Sequence, residues 1–409
     1  MSNVVQVEEV TRYVINLEGR NRPDQFQDEF PYSFGSRLGP EFDAEGTTMA
    51  WIASPLIAMI YSLNGAPHSA FSLSPRILKS TVPMTSIRLG KCTNFRLPWK
   101  VLGGEPSKEG YLLLATGLRN GCIKIYNALT CSLLTNLLSH TSVVSDLVFH
   151  PFKNGLYTQI VSVSMDKSLK VWDQEDHSYN MSETITTLDP LLTVAWSPNG
   201  RYVASAGTGR IVYIHTGFHK KNISLKHRLK RHYEDIVSLQ FSSDSALLFS
   251  ASLDTRIHVW DSEEGTIRQT LCHTFPVPLL VFSNHVTSMC INNLGSFVAS
   301  VCNEDDSQSR LRLWDLEGFK DFPTVNNSDS RCVPQANRRA LSCSVTRNSL
   351  LSVLNEDRSV SLYSVICSPP SLKHMSRTKI RTFIHLQENL HGLDIPKALL
   401  KYLKYETWK

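Results

Sequence analysis

Histidine, aspartate and serine recur together in this 409-residue chain, and they are the residue types of a nucleophilic triad. His140 and Asp166 stand with Ser162 or Ser164, and His232 and Asp254 with Ser250 or Ser252. A hydrolase needs one such set, in which the base activates one serine. Here the set occurs twice at similar spacing, each time followed by a tryptophan, Trp172 or Trp260. Recurrence with a repeat marks a structural network, because a buried imidazole and a buried indole N–H need polar partners of this kind. No catalytic residue is therefore assigned. The chain also lacks a P-loop, a Gly-rich dinucleotide turn and a nucleophile elbow.

Other chemistry is excluded by composition. The nine cysteines are scattered, with no C-x-x-C pair among them. That argues for a reducing compartment and against a disulfide framework or a zinc site, so no metal or cofactor is expected. No segment reaches the ~20 apolar residues of a membrane span. The best stretch, residues 49–61 (MAWIASPLIAMIY), is short and interrupted by Ser54 and Pro55. The N-terminus, MSNVVQVEEVTRY, is acidic early and is not read as a secretory signal. The expectation is an intracellular protein, cytoplasmic, nuclear or both.

The elements that must position these residues form a repeat. Residues 123–127 (IKIYN), 169–173 (LKVWD), 257–261 (IHVWD) and 311–315 (LRLWD) are one motif, with weaker copies at 211–215 (IVYIH) and 360–364 (VSLYS). Their fourth positions, Tyr126, Trp172, Ile214, Trp260, Trp314 and Tyr363, are 46, 42, 46, 54 and 49 residues apart. Most copies follow a run of small residues, at 115–117 (ATG), 162–164 (SVS), 205–207 (SAG) and 250–252 (SAS). Val237, Leu239 and Phe241 alternate as a strand with one buried face should, and Pro198-Asn199-Gly200 supplies a turn. Short strands at this spacing, with no helical periodicity between them, mean an all-β repeat architecture. Radial closure of four-stranded blades would protect the sheet edges.

The tail differs. Residues 371–409 carry eight Lys/Arg against three acids, which accounts for the whole formal charge of +5. Pro369-Pro370 stops the last strand, and Ser371 is an N-cap for a helix starting at Leu372. Leu372, Met375, Ile380, Phe383 and Ile384 recur at roughly helical spacing, with Lys373, Arg377, Lys379 and Arg381 filling much of the remainder. A second helix is expected over residues 397–405. Two such short helices cannot stabilise each other, so they must pack on the propeller or on another protein. The basic charge fits an acidic partner surface or a solvated helix face.

These features resemble two known modules. The motif copies resemble WD repeats, whose period is ~40–45 residues. In that family a polar chain links a His before the first strand, a Ser/Thr on the second, an Asp in the next turn and a Trp on the third. The resemblance places His140, Asp166 and Trp172 in one blade, His232, Asp254 and Trp260 in another, and Trp314 in a third. Other blades depart from it: Asn120 replaces the Asp, and the IVYIH copy lacks both Asp and Trp. Thr48-Met49-Ala50-Trp51 resembles Thr193-Val194-Ala195-Trp196, so residues 46–79 supply a first blade. Seven blades are expected, with eight as the alternative.

The tail resembles a SOCS box, which begins S/T-L-x-x-x-C-x-x-x-apolar and ends in an L-P-x-P-like segment. Ser371-Leu372, Ser376 and Ile380 match the first at offsets of four and four, and Leu393-Asp394-Ile395-Pro396 match the second. Ser376 stands where Cys is usual, and Asp394 replaces the first Pro. The chain thus resembles the WD-repeat and SOCS-box-containing proteins. This implies an N-terminal arm over residues 1–45, a propeller over 46–366 and a SOCS box over 371–409. It also implies a substrate receptor of a ubiquitin ligase, not itself an enzyme. Leu372, Met375, Ser376, Ile380 and Phe383 would bind elongin C of elongin B/C, with Leu372 carrying most of the energy. Leu393, Asp394, Ile395 and Pro396 would bind a cullin, cullin-5 with its RING partner, while the propeller holds a protein substrate.

Two rivals remain. One is an interaction scaffold whose tail is only a helical cap. The other is nucleic-acid binding through residues 220–232 (KKNISLKHRLKRH) and the basic tail, which the lack of interleaved aromatics disfavours. Two insertions, residues 303–310 (NEDDSQSR) and 262–285, are loop candidates for partner contact.

Overall fold

The computed structural model describes residues 6–13, 38–43, 45–62, 75–92, 111–151, 159–175, 178–218, 222–272, 285–292, 295–305, 308–316, 340–346, 350–366, 371–383 and 396–405. Seven antiparallel sheets follow one another along the chain. Blade 3, for example, orders Val144–Phe149, Gln159–Ser164, Ser168–Glu175 and Ser178–Thr186 from inside to outside. Blade 4 repeats this with Leu191–Trp196, Tyr202–Gly207, Ile211–Thr216 and Ser224–Lys230. Blade 5 does so with Ile236–Phe241, Leu247–Ser252, Arg256–Asp261 and Ile267–Cys272. The inner strands contact one another in order around the ring, and Glu41–Phe42 meets Ala340–Val345 to close it. The expected seven-bladed, all-β propeller is the observed fold.

Burial explains the sequence pattern. Inner and second strands are covered on both faces, as in Leu191–Trp196 and Leu247–Ser252, where every residue is buried. Outer strands such as Ser224–Lys230 are mostly exposed. The apolar clusters lie between neighbouring blades. One joins Ala204 and Ile214 of blade 4 to Ile236, Phe241 and Trp260 of blade 5. The small-residue runs permit this approach: a Cβ on Gly117 would lie 2.3 Å from Ser86 Oγ and 2.8 Å from Val144 of the next blade.

Three features differ from expectation. Residues 1–45 are not simply an arm outside the propeller. Gln6–Tyr13 pairs antiparallel with Val360–Ile366 as the outer strand of blade 7, and Glu41–Phe42 is the inner strand of blade 1. An outer strand carries little apolar signal, and its partner lies at the far end of the chain. Second, Thr48–Ser54 is the second strand of blade 1, whereas Leu191–Trp196, which it resembles, is an inner strand. Both positions are buried on both faces, so apolar pattern cannot tell them apart. Third, blade 6 has three strands among the described residues, His285–Ile291, Phe297–Asp305 and Gln308–Asp315. The NEDDSQSR insertion is the hairpin between the last two, with Asp305 opposite Gln308. Residues 273–284, within the other insertion, lie outside the described residues.

The tail forms two helices, α1 (Leu372–Phe383) and α2 (Lys397–Leu403). Ser371 caps α1 as expected, its Oγ accepting the His374 amide at 3.1 Å. The second helix ends two residues sooner than expected, with Lys404 as its C-cap and Tyr405 just beyond it. No helix is long and apolar enough to cross a membrane among the described residues.

Candidate functional site: a two-sided C-terminal helix

The histidine networks are closed within their blades. His140 Nδ1 meets Asp166 Oδ2 at 2.8 Å, its Nε2 meets Ser162 Oγ at 2.8 Å, and Trp172 Nε1 donates to that same Oγ at 2.9 Å. Blade 5 repeats it: His232 meets Asp254 at 2.8 Å and Ser250 Oγ at 2.7 Å, and Trp260 Nε1 donates to Ser250 at 2.9 Å. In blade 6, Trp314 Nε1 donates to Ser300 Oγ at 2.8 Å. The serines are thus Ser162 and Ser250, while Ser164 and Ser252 bond the carbonyls of Ser142 and Glu234.

Burial pushes the His140 pKa down, against the pull of Asp166. Burial also raises Asp166, but hydrogen bonds from Ser168 and His140 outweigh it and hold that carboxyl below its ordinary value. Each serine hydroxyl has an indole and an imidazole on it and lies fully buried, so it cannot meet a substrate. His232, Asp254 and His258 come close enough to suggest a metal. Both ring nitrogens of His232 are already spent, however, and His258 Nδ1 faces Thr270 Oγ1 at 2.9 Å.

The C-terminal helices are where sequence prediction and exposure meet. Leu372 is 79% exposed, and Met375, Ser376 and Ile380 are exposed with it on one side of α1. Leu399 on α2 is exposed too. Phe383 is the last residue of α1, with its side chain outside the described residues. Leu393, Asp394 and Ile395 lie outside them as well, and Pro396 is exposed at the N-cap of α2.

The opposite side of α1 is buried and polar. His374, Arg377 and Arg381 are covered, with Arg377 1% exposed. Arg377 lies over the Tyr405 ring at 4.0 Å and the Tyr402 ring at 4.6 Å, and it donates to His374 Nδ1 at 3.1 Å. Arg381 donates to the Leu403 carbonyl at 2.5 Å, which ties α1 to α2. It also meets Asp244 Oδ2 at 3.1 Å, and Tyr405 donates its hydroxyl to the same oxygen at 2.6 Å. Burial raises the Asp244 carboxyl, but Arg381 beside it, with Ser242, Tyr405 and the Ala246 amide, outweighs that and holds it low. The Tyr405 ring joins the apolar cluster of blades 5 and 6 beside Trp314 and Leu316.

Arg377 and Arg381 are therefore not part of a solvated face, and the acidic partner of Arg381, Asp244, is in the same chain. Sequence reasoning missed Asp244 and Tyr405. The one available signal was that residues 374, 377 and 381 share a helix face at i, i+3, i+7 spacing. The lower half of the basic run at 220–232 is also engaged. Lys226 pairs with Glu263 at 2.5 Å, His227 meets the Glu263 carbonyl and His232 is buried.

Comparison with known proteins agrees with this division. The family profile "SOCS box" matches residues 368–404, and "WD domain, G-beta repeat" matches 131–173, 182–215, 223–261 and 276–315. WD repeat and SOCS box-containing protein 1 of Homo sapiens is 34% identical over 303 residues, 73% of this chain and 67% of that protein. The Danio rerio protein of the same name is 33% identical over 305 residues, with the same two shares. A chain in the crystal structure of a mitotic checkpoint complex superposes with a TM-score of 0.60 at 16% identity. It covers 87% of this chain and 92% of that one, a likeness of fold alone. By its repeats, its C-terminal box and these relatives, the chain belongs to the WD repeat and SOCS box-containing proteins.

Proposed function

We propose that this chain is the substrate receptor of a cullin–RING ubiquitin ligase, joined to its cullin through elongin B/C. The observation that carries the reading is the direction of α1. Its apolar residues Leu372, Met375 and Ile380 face out with Lys373 and Lys379, while His374, Arg377 and Arg381 face in. Exposing a row of apolar side chains on a docked helix costs hydration free energy unless a partner covers it. A tail that served only as a cap would place those side chains against the propeller, so the orientation favours a partner over the scaffold reading.

Elongin C is the partner for Leu372, Met375, Ser376, Ile380 and Phe383, in a helix-in-groove mode with Leu372 as the main anchor. Ser376, where the family usually has Cys, adds a hydroxyl to that contact and weakens it modestly. Residues 393–396 take the cullin, cullin-5 with its RING partner. The propeller holds the protein substrate, and the role is intracellular. The chain does no bond chemistry of its own. Tethering raises the effective concentration of substrate lysines near a charged conjugating enzyme. The tail docks at the rim of first-to-second-strand turns, where Asp244 lies. The opposite rim, with the second-to-third-strand turns of Asp166 and Asp254, is left to the substrate.

Co-expression tests this reading. The full chain should co-purify with elongin B/C, and Leu372→Asp should abolish that while the chain stays folded. A wild-type chain that never retains elongin B/C would refute it.

A further inference from the structure

Asp244 sits in the turn between Ile236–Phe241 and Leu247–Ser252 and uses its two oxygens for different purposes. Oδ1 builds the turn, accepting from Ser242 Oγ at 2.6 Å and from the Ala246 amide at 3.1 Å. Oδ2 faces away and, among the described residues, meets the tail, through Tyr405 at 2.6 Å and Arg381 at 3.1 Å. The turn itself does not need the charge. Blade 4 builds the same turn with a neutral residue: Asn199 Oδ1 accepts from Ser197 Oγ at 2.7 Å and from the Arg201 amide at 3.0 Å.

The tail is shaped to reach that oxygen. Tyr405 follows the C-cap of α2 with φ at 58°, the left-handed region that glycine ordinarily fills at a helix end. A tyrosine persists there because its surroundings hold it. Its ring lies under Arg377, and its hydroxyl is on Asp244.

We propose that Asp244 is the positioning residue of the C-terminal box. It clamps α1 through Arg381 and the end of α2 through Tyr405, and so fixes the apolar side of α1 outward in one orientation relative to the propeller. Elongin B/C then meets a helix that is already ordered and correctly turned. The consequence for elongin rests on the ligase reading above, whereas the clamp itself does not.

The test uses the full chain and four proteins: wild type, Asp244→Asn, Arg381→Gln and Arg381→Lys. Asp244→Asn keeps the turn, as Asn199 does in blade 4, but presents an amide to Arg381 and Tyr405. Amide hydrogen exchange of α1, thermal unfolding of the propeller and titration with elongin B/C are read on each. In Asp244→Asn and Arg381→Gln, α1 should lose protection while the main melting transition stays in place. Elongin affinity should fall about tenfold, because ordering of the helix moves into the binding step. Arg381→Lys keeps the charge and should recover part of both. Arg381→Gln leaves the propeller turn untouched and decides the matter if Asp244→Asn does not fold. Wild-type protection of α1 and wild-type affinity in the foldable variants would overturn the clamp. Loss of protection in a chain whose wild type never binds elongin B/C would keep the clamp and remove the ligase reading.

Discussion

Tyr405 donates its hydroxyl to Asp244 at 2.6 Å across 161 residues of sequence, and this contact decides which way the last helices of the chain face. It joins the C-terminal box to blade 5 through a buried carboxylate, not through apolar packing of α1. The apolar side of α1 is thereby left outside.

Leu372 and Leu403 are both tail leucines with opposite environments, 79% and 2% exposed. Leu372→Asp should change unfolding free energy by less than about 0.5 kcal/mol, as for an exposed position. It should cost about 2 kcal/mol or more in elongin B/C binding, the scale of an interface anchor. Leu403→Asp should instead undock the tail by placing an unpaired charge in a covered site. Chemical denaturation and calorimetric titration of the two variants separate these outcomes.

The serines of blade 3 make a second pair. Ser162→Ala removes the acceptor of the Trp172 indole and the partner of His140 Nε2 together, in a fully buried site. It should lower stability by about 1–3 kcal/mol. Ser164→Ala loses a 3.2 Å bond to the Ser142 carbonyl and a 3.1 Å bond from the Asp166 amide, both only partly buried, and should cost less. Urea unfolding monitored by tryptophan fluorescence would rank them, and the reverse order would contradict the network described.

Closure of the ring by Gln6–Tyr13 is testable by truncation. Removing residues 1–13 leaves Val360–Ile366 as an unpaired edge on blade 7. The truncated chain should melt lower and self-associate as concentration rises, since an open strand edge templates pairing. Unchanged melting with a monomeric elution profile would argue against the closing strand.

Acid should weaken the propeller through buried neutral histidines. Burial lowers His215 and His258 to about 4. In the unfolded chain they protonate near the ordinary value of about 6.5. Above that pH they contribute no pH dependence. As pH falls from about 6.5 to about 4, the unfolded state takes up protons that the folded state refuses, so stability declines across that window. Melting temperature against pH should show this slope, and His215→Gln should make it shallower.

The sequence by itself determined the propeller and the start of α1, and it favoured seven blades over eight. Strands buried on one or both faces must carry apolar residues at strand spacing, and a four-stranded blade must recur at a nearly constant interval. Those are local requirements and leave local marks, as does the Ser371 cap. The apolar row Leu372–Met375–Ile380 was legible for the same reason.

Only the tertiary structure decided the pairings. Ser162 and Ser164 stand two apart on one strand and so share a face, and strand register alone sets which of them meets Trp172. Gln6–Tyr13 carries no mark of blade 7, because outer strands need few apolar residues. Helical spacing showed that α1 has two sides but not which is inward. That choice was made by one carboxylate oxygen of Asp244, placed in space by blade 5 and reached by Arg381 and Tyr405 only once the chain has folded.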